Sequence, residues 1–144
     1  MGTADTTYLW LEKTFDETLR LLEEAEYYHM HKIRRQVRHL VPVKRLEVTT
    51  ESLRVTSRLS HTMAWLMTEK AILNNELNRG EATDLHQPLS EETTCLKART
   101  ECLDLCPKGL ISLMDRSLDL FMRASRLEAM LRNDTTVVAT PTLH

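Results

Sequence analysis

The sequence predicts an all-α fold, an antiparallel three-helix bundle of long helices with a short helical insert between helices 2 and 3. Apolar residues recur at spacings of three, four and seven over long stretches, whereas no segment alternates apolar and polar residues as a half-buried strand does. Only three Gly and four Pro occur among 144 residues, which leaves few places for turns. A chain of this length can bury one core, so a single domain is predicted over residues 1–133.

The first helix is predicted over about residues 6–40, with an apolar stripe that begins at Tyr8 and ends at Leu40. Acidic side chains are concentrated in its first two-thirds and basic ones at its end, which complements the helix dipole. Pro42 prevents simple continuation, because it lacks an amide hydrogen and its ring clashes with the preceding turn. The chain therefore reverses, and the short connection places the second helix antiparallel beside the first.

The second helix, predicted over about residues 46–79, organises the bundle. Its main apolar stripe comprises Val55, Leu59, Met63, Leu66, Leu73 and Leu77. Trp65 and Ile72 lie on a second apolar face, since each residue of an α-helix advances by about 100°. A helix with two apolar faces packs between two neighbours.

Both ends of this second helix carry termination signals. Thr49, Thr50 or Ser52 is predicted to cap its start, because a short side-chain oxygen can accept a hydrogen bond from a first-turn amide. A start nearer Val43 also fits the pattern. Gly80 is suited to a left-handed position beyond the end.

The last long helix is predicted over residues 107–132, with Pro107 in its first turn, where a missing amide hydrogen costs nothing. The region before it predicts a loop followed by a short insert helix over about residues 91–105. The tail over residues 134–144 has no periodicity, so disorder is predicted there.

Composition excludes several classes of function. The formal net charge is −2 and the pI is near 6.3, so the chain as a whole is not attracted to nucleic acid or to an anionic membrane. A basic segment, residues 32–46, is better explained by helix-dipole complementation and solvation than by nucleic-acid contact. No run of about 18 apolar residues occurs, so we predict no membrane span and a cytoplasmic location.

Two groups of residues have spacings that suggest metal ligands. Glu26 and His29 have the spacing of di-iron bundle proteins, but no second Glu-x-x-His motif occurs. Cys95, Cys102 and Cys106 share one face of the insert, yet no fourth zinc ligand is evident, and buried free thiols are favoured. The sequence contains no glycine-rich phosphate loop and no nucleophile elbow. We predict a non-enzymatic protein with no metal and no cofactor.

A buried polar layer is predicted in place of a metal site. If the third helix begins at the end of the bundle where the second one stops, Glu26, His29, Arg58 and Glu128 meet at one level. An ionised group near a core must find a partner. Lys70 is predicted to pair with Asp115 for the same reason.

Apolar residues beyond the needs of one core, together with cationic residues on the outer face of the second helix, predict a partner or dimer surface. The alternative is that the insert covers the apolar residues. Its members are Arg54, Arg58, Trp65, Ile72, Trp10 and Tyr28.

Two stretches carry further motifs, residues 52–81 and 105–128. In the first, Arg54-Val55-Thr56-Ser57-Arg58-Leu59 is followed by Met63-Ala64-Trp65-Leu66, Lys70-Ala71, Leu77 and Gly80-Glu81. In the second, Leu105-x-Pro107 is followed by Leu110-Ile111, Ser117-Leu118, Arg123 and Arg126-Leu127-Glu128. These motifs resemble the RcdA family, the α-proteobacterial regulators of CtrA degradation. The sequence departs from the family pattern at Glu69, where glutamine is expected, and over residues 83–104.

The resemblance implies a homodimeric three-helix bundle with a disordered C-terminus. It also implies an adaptor for regulated ClpXP proteolysis of cell-cycle regulators, with ClpX, a substrate regulator and CpdR- or PopA-like proteins as partners at the cell pole. Such a role needs binding without chemistry, because tethering raises the effective concentration of a substrate near the protease. The alternatives are a helical-bundle metal-binding protein and a homodimeric interaction module with another role.

Overall fold

The computed structural model describes residues 2–85, 88–89 and 104–138, in which five α-helices and no β-strand occur. The helices are α1 (Thr3–His31), α2 (Ile33–Val37), α3 (Pro42–Leu73), α4 (Arg79–Leu85) and α5 (Lys108–Val138). The predicted all-α bundle of three long helices is confirmed, with α1, α3 and α5 as those helices. α3 contacts each of the other four, which confirms its predicted central position.

The predicted first helix is divided at Lys32, whose φ of −109° and ψ of −40° stay in the right-handed helical region. The Lys32 amide still donates to the Tyr28 carbonyl oxygen at 3.0 Å. Across the break, the Tyr28 hydroxyl donates to Gln36 Oε1 at 2.6 Å. Ile33 and Val37 are therefore buried with the core residues of α1, although they belong to α2.

α3 begins at Pro42, four residues before its predicted start. Val41 is extended, as the residue before proline prefers, and Pro42 occupies the first turn of the new helix. The predicted caps are wrong. Thr49 and Thr50 each donate to the carbonyl oxygen four residues earlier at 2.8 Å, and Ser52 contacts a histidine of α1.

α3 ends at Leu73, earlier than predicted, and its left-handed terminating residue is Asn75, with a φ of 59°. Asparagine tolerates this conformation better than other non-glycine residues. Gly80, predicted for that role, lies inside α4 and has no positive φ. A capping box starts α4, because the Glu81 amide donates to Asn78 Oδ1 at 2.8 Å and the Asn78 amide donates to Glu81 Oε2 at 3.3 Å.

α5 begins one residue after Pro107 and continues to Val138, so residues 134–138 of the predicted disordered tail are helical. The rest of that tail, 139–144, lies outside the described residues, as does nearly all of the predicted insert helix over 91–105.

The three long helices do not alternate in direction. His29 of α1 meets Ser52 near the start of α3, and Tyr28 lies against Gly109 at the start of α5. At the other end, Glu12 of α1 pairs with Lys70 near the end of α3. α1 is therefore antiparallel to both partners, whereas α3 and α5 run in the same direction.

Among the described residues, two apolar clusters fill the bundle. The first lies at the end of the bundle where α2 connects α1 to α3, and it includes Tyr28, Leu59 and Leu113. The second lies at the opposite end and contains Leu11, Trp65, Leu66, Leu89, Phe121 and Ala124. Each fully buried large apolar side chain stabilises the fold by about 1.5–3 kcal/mol relative to its exposure, so these clusters supply the main driving force of folding.

Candidate functional site

Most of the predicted partner surface is buried. Arg54, Arg58, Trp65 and Tyr28 are at most 8% exposed, and Trp10 and Ile72 are half-buried. Trp65 belongs to the second cluster, where it is buried together with residues from α1, α5 and Leu89. The sequence left open whether the second apolar face of α3 is free or covered, and in the structure neighbouring segments cover Trp65.

The predicted polar layer does not form as a unit. Glu26 is exposed, and His29 Nδ1 lies 3.0 Å from Ser52 Oγ. Glu128 is buried at the other end of the bundle, where its Oε1 accepts a hydrogen bond from the Leu89 amide at 2.9 Å. The direction of α5 explains the failure. Glu24 pairs with Arg116, and Glu128 lies twelve residues, or roughly 18 Å, further along the helix.

A different charged pair lies in the core. Glu51 and Arg54, one turn apart on α3, are 1% and 8% exposed. Arg54 Nη1 donates to Glu51 Oε1 at 2.5 Å. A charge-assisted hydrogen bond of this kind offsets part of the cost of removing both groups from water.

Lys70 pairs with Glu12 at 2.8 Å, whereas Asp115 was the predicted partner. The Lys70 ammonium also lies 4.3 Å from the centroid of the Phe15 ring, a distance at which a cation is attracted to the ring face. The hydrogen bond from Lys70 holds the pKa of Glu12 below its ordinary value. This contact joins α1 to α3 at the end that holds the second cluster.

Glu69, the residue that departs from the RcdA pattern, is held by Arg79 of α4. The two guanidinium nitrogens donate to the two carboxylate oxygens at 3.1 and 3.0 Å. This bidentate geometry fixes the first turn of α4 against α3. Glutamine could not reproduce it, because its amide group has only one acceptor oxygen.

Two further bidentate pairs join α5 to α1 along an open groove. Arg116 donates to Glu24 at 2.8 and 2.5 Å, and Arg123 donates to Glu17 at 3.4 and 2.6 Å. The hydrogen bond from Arg116 lowers the pKa of Glu24, and the hydrogen bonds to the two carboxylates raise the pKa of Arg116 and Arg123. These charges are already paired, so the groove offers little to an ionic ligand.

One face of α3 has a regular pattern of apolar and small residues that are exposed or half-buried. At alternating spacings of three and four it carries Val43, Leu46, Thr50, Leu53, Ser57, Ser60, Ala64, Met67 and Ala71. Its four large apolar members, Val43, Leu46, Leu53 and Met67, are 54–68% exposed. We call these nine residues the α3 stripe. This heptad spacing is typical of a seam between two helices, and the small residues at its centre permit close approach.

The sequence contained the signal for the α3 stripe. Leu46, Leu53 and Met67 share one heptad position, on the side of the helix opposite the predicted core stripe. The signal was missed because the core stripe and Trp65 already accounted for two faces of the helix.

Burial raises the pKa of Tyr28 to about 12, from an ordinary value of 10. The folded protein therefore keeps the phenol proton at pH values at which the unfolded chain releases it. The stability that this proton contributes is present below pH 10 and is lost as the pH rises towards 12.

We expect the free energy of unfolding of Tyr28→Phe to decrease less between pH 10 and 12 than that of the unmodified protein. Urea unfolding midpoints of the two proteins at a series of pH values measure the effect. A parallel decline in both proteins would show that the Tyr28 proton is not linked to folding.

Among the described residues, no group of three His, Cys, Asp or Glu side chains could hold a metal ion. Cys95 and Cys102 lie outside those residues, and Cys106 is buried in the first cluster. None of the helices in the described ranges is long and apolar enough to span a membrane.

Comparison with known proteins identifies the family. The family model for "Protein of unknown function (DUF1465)" matches residues 4–142. No curated protein matches the chain significantly. The crystal structure of RcdA from Caulobacter crescentus CB15 is similar, with a TM-score of 0.62 and 27% sequence identity over 82% of this chain and 87% of that one. The chain therefore belongs to the DUF1465 family and is an RcdA-like protein.

Proposed function

We propose that this protein is a non-enzymatic adaptor for regulated proteolysis of cell-cycle regulators by ClpXP. The observation that supports this role is the similarity to RcdA, which extends over most of both chains. Neither RcdA-like proteins nor the DUF1465 family is an enzyme family. The proposed partners are ClpX, CpdR- or PopA-like regulators and the substrate, in the cytoplasm and at the cell pole.

We also propose that the adaptor is a homodimer. The α3 stripe supports this, because a second copy could pair the same face across a two-fold axis. The surface predicted from the sequence is not retained in this proposal, since most of its members are buried.

A degradation assay with purified components tests the adaptor role. It contains ClpX, ClpP, a CpdR-like protein, a PopA-like protein and a fluorescent CtrA substrate. Adding this protein is expected to accelerate substrate loss severalfold by raising the local substrate concentration. A tagged ClpXP substrate that needs no adaptor is the control, and its degradation rate should not change. An unchanged rate for CtrA, while the control substrate is degraded, would contradict the adaptor role for that substrate.

A further inference from the structure

A basic cavity lies at the end of the bundle where α1, α2 and α3 meet. Its apolar walls are Met30, Ile33 and Val37, and Arg34, Arg38 and Arg45 surround them. Ile33 and Val37 are core residues at 3% exposure, whereas Met30 is 64% exposed. Met30 therefore supplies most of the accessible apolar surface of the cavity, within a rim of guanidinium groups.

The arginines of this cavity differ in what they already bind. Arg45 donates to the backbone carbonyl oxygens of Arg38 and Leu40, at 3.4 and 3.1 Å, and so holds the α2–α3 turn. The Arg34 and Arg38 side chains are exposed and form no ion pair with any other described residue. Arg116 and Arg123, in the groove between α1 and α5, are by contrast paired with carboxylates.

The positive charge of the chain is concentrated around this cavity. Residues 32–46 contain six of the 19 Lys and Arg residues and none of the 21 Asp and Glu residues. The positive potential is therefore local, and the rest of the chain is net acidic. A long polyanion such as duplex DNA would extend from the cavity onto repulsive surface, whereas a short acidic segment would not.

We propose that this cavity binds a short acidic segment of a partner protein. Carboxylates of the segment contact Arg34 and Arg38, and one apolar side chain packs against Met30. That the ligand is a protein rests on the proposed adaptor role. The cavity adds the chemistry of the segment that the partner protein presents.

A fluorescein-labelled synthetic peptide, in which Glu residues alternate with Leu and Phe, tests the cavity without any protease. Its fluorescence anisotropy should rise saturably with protein concentration, and affinity should fall as salt is added. Arg34→Gln with Arg38→Gln is expected to weaken binding about tenfold, because two charge-assisted contacts are lost.

The matched control is Lys32→Gln with Arg35→Gln. It removes the same charge from the same segment at residues that do not line the cavity, and it should weaken binding less than about twofold. Met30→Ser should weaken binding of the peptide without changing its dependence on salt. Unchanged thermal unfolding in all three variants shows that the fold is intact.

Equal losses in the two double variants would overturn the proposal, because they would show attraction to net charge alone. Absence of peptide binding, or displacement of the peptide by a DNA duplex at lower concentration than by unlabelled peptide, would also overturn it. Peptide binding without stimulated CtrA degradation would instead contradict the adaptor role and leave the cavity as a binding site.

Discussion

Arg54→Met is expected to destabilise the bundle by about 3–5 kcal/mol, because it leaves the buried carboxylate of Glu51 without this guanidinium. Domains of this size are stable by only about 5–15 kcal/mol, so the loss is a large part of the total. Urea unfolding followed by far-ultraviolet circular dichroism measures the difference.

The double variant Glu51→Met with Arg54→Met should be less destabilised than the single variant, since it removes both charges of this pair together. Lys44→Met is the matched control. Lys44 and Glu47 form a pair with the same spacing on the same helix at 3.3 Å, but both are exposed. Its loss should cost less than about 1 kcal/mol. Similar effects of Arg54→Met and Lys44→Met would contradict the proposed importance of burial.

Leu53→Asp with Met67→Asp is expected to convert the proposed homodimer into a monomer. Both side chains lie on the α3 stripe, at 54% and 58% exposure, so the carboxylates are tolerated by the single chain. In a dimer paired along α3, the same carboxylates would be desolvated beside one another. Light scattering coupled to size-exclusion chromatography measures the mass, which should fall from two chains to one.

Leu9→Asp with Met130→Asp is the control for this prediction. Leu9 and Met130 are 67% and 62% exposed and lie on α1 and α5, so neither belongs to the α3 stripe. The control should remain dimeric, and both double variants should keep the helical circular dichroism of the unmodified protein. A dimer that survives the α3 substitutions would place the interface on another surface.

The sequence identified the long helices well because their signals are local. The spacing of Val55, Leu59 and Leu66 indicates the apolar face of a single helix, and all three side chains are buried in the structure. The helix ends were less accurate, since several polar residues can cap a helix and the sequence does not say which one does. Asn75 occupies the left-handed position that was predicted for Gly80, and Asn78 caps the start of α4.

The polar contacts between helices required the tertiary structure. Lys70 could have paired with any acidic residue at its level, and the relative rotation and shift of α1 and α3 select Glu12. In the same way, the parallel direction of α3 and α5 separates Glu128 from Glu26. A sequence pattern states which face of a helix is apolar but not which neighbour covers it.

The sequence by itself determined the all-α class, the three long helices and the resemblance to RcdA, because these depend on periodicity and on motifs within single helices. Only the tertiary structure decided that Arg54 and Trp65 are buried and that the large apolar residues of the α3 stripe and the arginines Arg34 and Arg38 of the basic cavity are exposed. Exposure is a property of the assembled helices, since the burial of one side chain depends on residues distant in the chain that pack against it.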